Sequence, residues 1–145
     1  MAETKQKNNS KEQSLILSSK LGNIEKVEKF SQKICLKMGF SSEQSDNMAI
    51  ALTELAVNAM VHGNKENPKK KITLHAVFGE NTLQVSVEDE GEGFNPDKLP
   101  DPTNSNNIMK EHGRGIFLVQ NLIDEVRFAS SESGMKIILT EKVKK

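Results

Sequence analysis

Glu54-Leu-Ala-Val-Asn58-Ala-Met-Val-His62-Gly63-Asn64 is the stretch on which the reading of this chain turns. Around it Met48, Leu52, Leu55 and Ala59 recur at helical spacing and make one apolar stripe. Ser41 and Gln44, three residues apart, form a capping-box pattern that opens the helix. His62-Gly63-Asn64 closes it, and Gly63 is expected as a left-handed C-cap. Glu54 and Asn58 are four residues apart, so they share a face, and that face lies away from the stripe. Two readings fit the pair. One is a solvated polar face. In the other, the Asn58 carbonyl oxygen is a hard ligand suited to Mg²⁺, and Glu54 accepts a proton from an attacking hydroxyl or water.

Upstream, residues 1 to about 13 are rich in Lys, Asn, Gln and Ser and are expected to form a disordered tail ahead of a single domain spanning 14–145. Ser14-Leu-Ile-Leu-Ser18 reads as a strand. A helix is predicted from the N-cap Asn23 to Met38, with Ile24, Val27, Ser31, Ile34 and Met38 on one face and Gly39 as its stop. Downstream, Ile72, Leu74, Ala76 and Phe78 alternate, as do Leu83, Val85 and Val87, and Gly79–Thr82 turns between them, so this is a hairpin. Residues 95–111 carry prolines and a run of Asn and Ser, the composition of a functional lid or a disordered segment. A helix follows from Gly115 to about Ile123, with Ile116, Val119 and Ile123 on one face. Val126-Arg-Phe128 and Lys136–Thr140 close the sheet. This order predicts an α/β (α+β) two-layer sandwich, with helices on one face of a mixed, mainly antiparallel sheet.

Two further segments carry chemistry. In Asp89-Glu-Gly91-Glu-Gly93-Phe94, Asp89 has the parity of Leu83, Val85 and Val87, so the alternation aims a carboxylate at the apolar side. A buried carboxylate needs a hydrogen-bonding partner, and the exocyclic amino group of adenine would serve an acceptor-only Asp. The other reading is a polar strand end at a hairpin turn. In His112-Gly113-Arg114-Gly115, glycines at a helix start expose backbone N–H groups to an anion, and Arg114 adds charge toward a phosphate. Here the alternative is a glycine linker capping a core helix.

Composition narrows the classes. The 145 residues suit one domain, and 20 basic against 20 acidic residues give no basic excess for nucleic acid. No window is long and apolar enough for a membrane span. Cys35 is the only cysteine, which excludes an internal disulfide or a cysteine metal cluster and points to a reducing cytoplasm. His62 reads as a histidine at a helix C-terminus rather than a metal ligand, and Lys69–Lys71 as a solvated loop.

In order and spacing, the three segments resemble the N, G1 and G2 boxes of the gyrase, histidine-kinase and MutL ATP-binding superfamily. The Val-His-Gly-Asn ending and the compact domain resemble the anti-sigma factor serine/threonine kinases of the RsbW and SpoIIAB type. The resemblance runs from about Leu15 to the C-terminus. It implies a Bergerat-type fold, with ATP and Mg²⁺ as cofactors. Glu54 would be the general base and Asn58 the Mg²⁺ ligand. Asp89 would read adenine, with Gly91, Gly93 and Phe94 beside it. Gly113, Arg114 and Gly115 would lie against the phosphates, under a lid over 95–111. Such kinases phosphorylate a Ser or Thr of an anti-anti-sigma protein of the STAS fold, sequester a sigma factor and often dimerise. The long polar lid also admits a non-catalytic switch, in which ATP orders the lid and presents a partner surface.

Overall fold

The computed structural model describes residues 4–8, 11–91, 114–130 and 134–144, with the backbone alone for 4–8 and 114. Among these, six strands form one sheet. They are β1 (Thr4–Asn8), β2 (Glu12–Ser18), β3 (Lys71–Phe78), β4 (Thr82–Glu88), β5 (Glu125–Ser130) and β6 (Met135–Lys142), in the order β1-β2-β3-β4-β6-β5. Three helices accompany them: α1 (Ile24–Met38), α2 (Ser42–Asn58) and α3 (Arg114–Leu122).

The two-layer sandwich follows from strand parity. Leu15 faces Leu74, which faces Val87, which faces Ile137, so one row of apolar side chains runs across four strands. All four are buried, and the helices supply the other half of the core through Val27, Phe30, Ile34, Met48, Leu52 and Leu55. The sheet is antiparallel at every described pairing rather than mixed. The crossover through α3 does make β4 and β5 run the same way, but β6 is inserted between them. Each strand therefore meets only antiparallel neighbours.

Helix boundaries follow local chemistry. Gly39 ends α1 in the left-handed region at φ 74°. The Ser41 hydroxyl accepts from the Gln44 backbone N–H at 3.1 Å, and the Gln44 side chain accepts from Ser41 N, so the expected capping box is present. Asn23 stands at the N-cap of α1 but does not cap it with its side chain. Its amide donates instead to the Ser18 carbonyl and hydroxyl, tying the helix start to the end of β2. The largest departure from expectation lies at the N-terminus. Within the stretch read as a tail, Thr4–Asn8 pairs with Leu17–Gln13 as an edge strand, and β2 begins at Glu12. Apolar content is a poor guide to an edge strand, because the backbone ladder alone can hold it.

The end of the domain remote from Asn58 is tied by a polar knot. Glu141 is only 1% exposed. It accepts from Gln44 Nε2 at 3.1 Å and from the Asp124 backbone N–H at 2.9 Å. Gln44 also donates to the Lys142 carbonyl at 2.7 Å. One side chain thus serves the cap of α2 and the end of β6 together. Removing Glu141 would take the acceptor from the Asp124 N–H and leave Gln44 Nε2 with the Lys142 carbonyl alone. Glu141→Ala should therefore lower stability by about 2–3 kcal/mol, read as a shifted midpoint in urea.

Asp124 extends the knot. The Lys142 backbone N–H, with the Lys144 ammonium at 2.7 Å, holds its carboxyl below the usual range. A depressed folded pKa means that the unfolded chain binds the proton more readily. The contribution is thus complete above the ordinary Asp value of about 3.9 and is lost as pH falls through the folded value. Asp124→Asn should flatten the acid limb of the stability–pH curve below about pH 4 and leave its neutral plateau shape unchanged.

Candidate active site

α2 is buried on two sides. The sheet takes its apolar stripe, and α3 lies along the face that carries Glu54 and Asn58. That face is therefore not a solvated one: Glu54 is half-buried and Asn58 only 6% exposed. Both side chains meet the first turn of α3. A Cβ placed on Gly115 would stand 2.5 Å from Glu54 Oε2 and 3.5 Å from Asn58 Nδ2. Glycine at 115 is what lets the helix start come this close. Asn58 Nδ2 is buried and has no hydrogen-bond partner among the described residues. An orphaned buried amide is uncommon enough to mark a place where something else binds.

Past residue 58 the helix widens. The chain continues as a π-type turn over Ala59–Gly63, closed by the Asn64 N–H on the Ala59 carbonyl at 2.8 Å. Such single wide turns concentrate at functional sites. Gly63 does not take the left-handed conformation expected of it; that conformation falls on Lys65 and Glu66, at φ 53° and 57°. What requires glycine at 63 is contact: a Cβ there would run into the Asp89 carboxylate.

Asp89 follows β4 and is 3% exposed, on the apolar side as its parity requires. Its Oδ1 accepts from the backbone N–H groups of Gly91 at 3.0 Å and Met135 at 3.1 Å, and its own N–H donates to the Met135 carbonyl at 3.0 Å. Protein backbone thus meets part of the desolvation cost that the sequence assigned to a ligand. An ionised carboxylate has about four acceptor positions, and backbone N–H groups take two of them here. Gly91 packs on the Gly63 carbonyl, and Gly134 packs on the Asp89 backbone and Oδ1.

Asn58 and Asp89 meet in one pocket, walled by Leu55, Ala59, Val87, Met135 and Ile137. The enclosed space is small, and its lining is apolar apart from one amide and one carboxylate, the mix of groups that a heteroaromatic ring carrying an amino group requires. The first two sequence segments and the start of the third therefore converge. Gly93, Phe94, Gly113, His112 and the stretch 95–111 lie outside the described residues, as does the side chain of Arg114. His62 is exposed at the helix end. No cluster of three His, Cys, Asp or Glu residues among those described forms a protein-only metal site.

Two participants were not singled out from the sequence for this role. Met135 supplies a backbone donor and acceptor to Asp89, and Gly134 supplies the room. The available signal was a glycine at the mouth of an apolar strand, which marks close backbone approach as readily as a turn.

Comparison with known proteins places the chain in a family. A family model described as a histidine kinase-like ATPase domain matches residues 17–141. The chain belongs to the histidine kinase-like ATPase domain family. Its similarity within that family is to RsbW-type proteins. A serine-protein kinase RsbW of Bacillus mycoides (strain KBAB4) is 31% identical over 117 residues, 75% of this chain and 71% of that protein. The serine-protein kinase RsbW of Bacillus subtilis (strain 168) is 28% identical over 114 residues, 74% and 71% of the two chains. That of Oceanobacillus iheyensis is 26% identical over 111 residues, 72% and 70%. No helix among the described residues is long and apolar enough to cross a membrane.

The contact at Gly134 gives a direct test of the slot. A methyl group there collides with backbone, which cannot swing away as a side-chain tip can. Gly134→Ala should displace Asp89, weaken ATP at least tenfold in calorimetry, and cost about 1–3 kcal/mol of stability in urea.

Proposed function

We propose that this chain is an ATP- and Mg²⁺-dependent protein serine/threonine kinase acting as an anti-sigma factor, with a STAS-type anti-anti-sigma protein as phosphoacceptor and a sigma factor or similar regulator as its sequestered target. The observation that carries the reading is the juxtaposition of Glu54, Asn58 and Gly115 at one end of a slot that holds Asp89 at the other. The names of the RsbW relatives support it. A reducing, cytoplasmic setting fits the lone buried thiol of Cys35, which burial pushes up to a pKa of about 11.

The residues fit the implied groups. Asn58 carries a neutral oxygen donor suited to Mg²⁺, and its buried Nδ2 has no partner among the described residues. A bound Mg²⁺ supplies charge neutralisation to the phosphates. Gly115 keeps the start of α3 open to the phosphate end, where first-turn N–H groups favour an anion. Asp89 accepts from the adenine amino group and so selects adenine over guanine. Glu54 takes the proton of the acceptor hydroxyl as its oxygen bonds to the γ-phosphorus and the bond to ADP breaks.

Label transfer from γ-labelled ATP to STAS-domain proteins tests the whole reading. Glu54→Ala should retain ATP affinity and lose transfer by about 100-fold or more. Asn58→Ala should abolish the Mg²⁺ dependence of binding. Transfer at the parent rate in Glu54→Ala would remove that residue from the role of base. ATP binding with no transfer to any STAS protein would favour the non-catalytic switch.

Gly115 adds a finer test. A methyl group there presses on the tip of Glu54, which can swing away, so the fold should tolerate Gly115→Ala. Transfer should nonetheless fall about tenfold or more, because a misplaced base is costly. Melting temperature and label transfer measured side by side separate the two effects.

A further inference from the structure

We infer that Asn64 is a positioning residue for base selectivity, acting through a closed hydrogen-bond ring with Lys71 and Glu90 that sets where the Asp89 carboxylate stands. The inference rests on the nucleotide-binding reading of the pocket above.

The ring has three members from three parts of the chain. Asn64 Nδ2 donates to the Lys71 carbonyl at 3.0 Å. The Lys71 N–H donates to Glu90 Oε1. The Glu90 N–H donates to Asn64 Oδ1 at 2.8 Å, which closes the circuit. Asn64 Nδ2 donates as well to Ser19 Oγ at 2.8 Å, and that hydroxyl donates to the Lys70 carbonyl at 2.9 Å. Asn64 is 1% exposed, and both its donor and acceptor ends are engaged. The Glu90 N–H also fixes the amide orientation, because a flipped amide would set donor against donor.

The position of this ring is what gives it a functional role. Asn64 ends the π-type turn that starts one residue after Asn58. Glu90 follows Asp89 directly, and the Gly91 N–H on its other side donates to the Asp89 carboxylate. The ring therefore couples the helix end carrying the phosphate-side amide to the turn carrying the base-side carboxylate. Lys71, at the start of β3, anchors the pair to the sheet. Without the ring, Asp89 keeps its own bonds to Met135, but the turn beside it loses its tie to the end of α2.

The test is calorimetric titration with ATP and with GTP of the parent chain, Asn64→Ala, Glu90→Ala, Glu90→Gln, Asp89→Asn and the Asn64→Ala/Asp89→Asn pair. Asn64→Ala and Glu90→Ala should each weaken ATP about tenfold and narrow the preference for ATP over GTP. Glu90→Gln keeps an acceptor for the Lys71 N–H and should restore the parent values. Asn64→Ala should cost nothing further in the Asp89→Asn background, since it acts through that carboxylate. A purely structural Asn64 would lower melting temperature and leave the ATP-to-GTP ratio unchanged, and that result overturns the inference. So does an additive loss in the paired variant. If Asn64→Ala fails to fold, Glu90→Ala, at an exposed position, decides the matter alone. A folded parent chain that binds no ATP overturns the nucleotide reading and this inference with it. A parent that prefers ATP, with variants that keep the same preference, overturns the inference alone.

Discussion

The buried carboxylate of Asp89 is the constraint on which the rest of this molecule depends. A carboxylate 3% exposed at the end of an apolar strand is costly unless donors reach it. Two of those donors are backbone N–H groups, from Gly91 and Met135. Backbone can approach so closely only where side chains are absent, and Gly63, Gly91 and Gly134 line the approach from three separate segments. The end of β4, the mouth of β6 and the turn after α2 are thereby drawn to one point. The slot beside Asp89 is a consequence of that convergence, since glycines leave space on whichever side is not filled by the carboxylate.

α2 carries the second constraint. It must be apolar enough to bury against the sheet, yet present Glu54 and Asn58 on a face that α3 covers only partly. Its two ends are held differently. The first turn is fixed by its own capping box and by Gln44 reaching Glu141 and Lys142. The last turn widens, and one extra residue in that turn changes which side chains point at the sheet. Gly63 then meets Asp89, and Asn64 turns inward instead of out to solvent.

Much of this was legible in the sequence, and the divide follows the range of the interaction. The capping box at Ser41 and Gln44, the stop at Gly39, the alternation in β3 and β4, and the burial of Asp89 are all written within a few residues of where they act. Parity places a side chain without knowledge of its partner. Where the partner is distant, local chemistry misleads. Gly63 has the position of a left-handed C-cap, but its requirement comes from a carboxylate 26 residues downstream. Asn23 has the position of a cap, but Ser18 takes its amide. Gly134 falls between two strands predicted from the sequence, and the Asp89 backbone against it lies 45 residues earlier. The strand at Thr4–Asn8 was hidden for a related reason: an edge strand draws on its neighbour's backbone, which composition does not record.

On the proposed reading, the site has to hold two ends of one nucleotide at a set separation, and the two layers of the fold divide that task. The base end would sit on the sheet, where β4 is paired on both sides by β3 and β6 and has little freedom. The phosphate end would sit on α2 and α3, which come into close contact at Gly115. Apolar packing alone would fix these layers face to face but would resist sliding only weakly, because side chains of similar shape can exchange neighbours. Directional bonds do not permit that exchange. The buried polar groups between sheet and helices, Asn64 at one end of α2 and Gln44 with Glu141 at the other, therefore act as register pins. They cost desolvation that an apolar pair would not, and what they supply in return is a single relative position of Asn58 and Asp89.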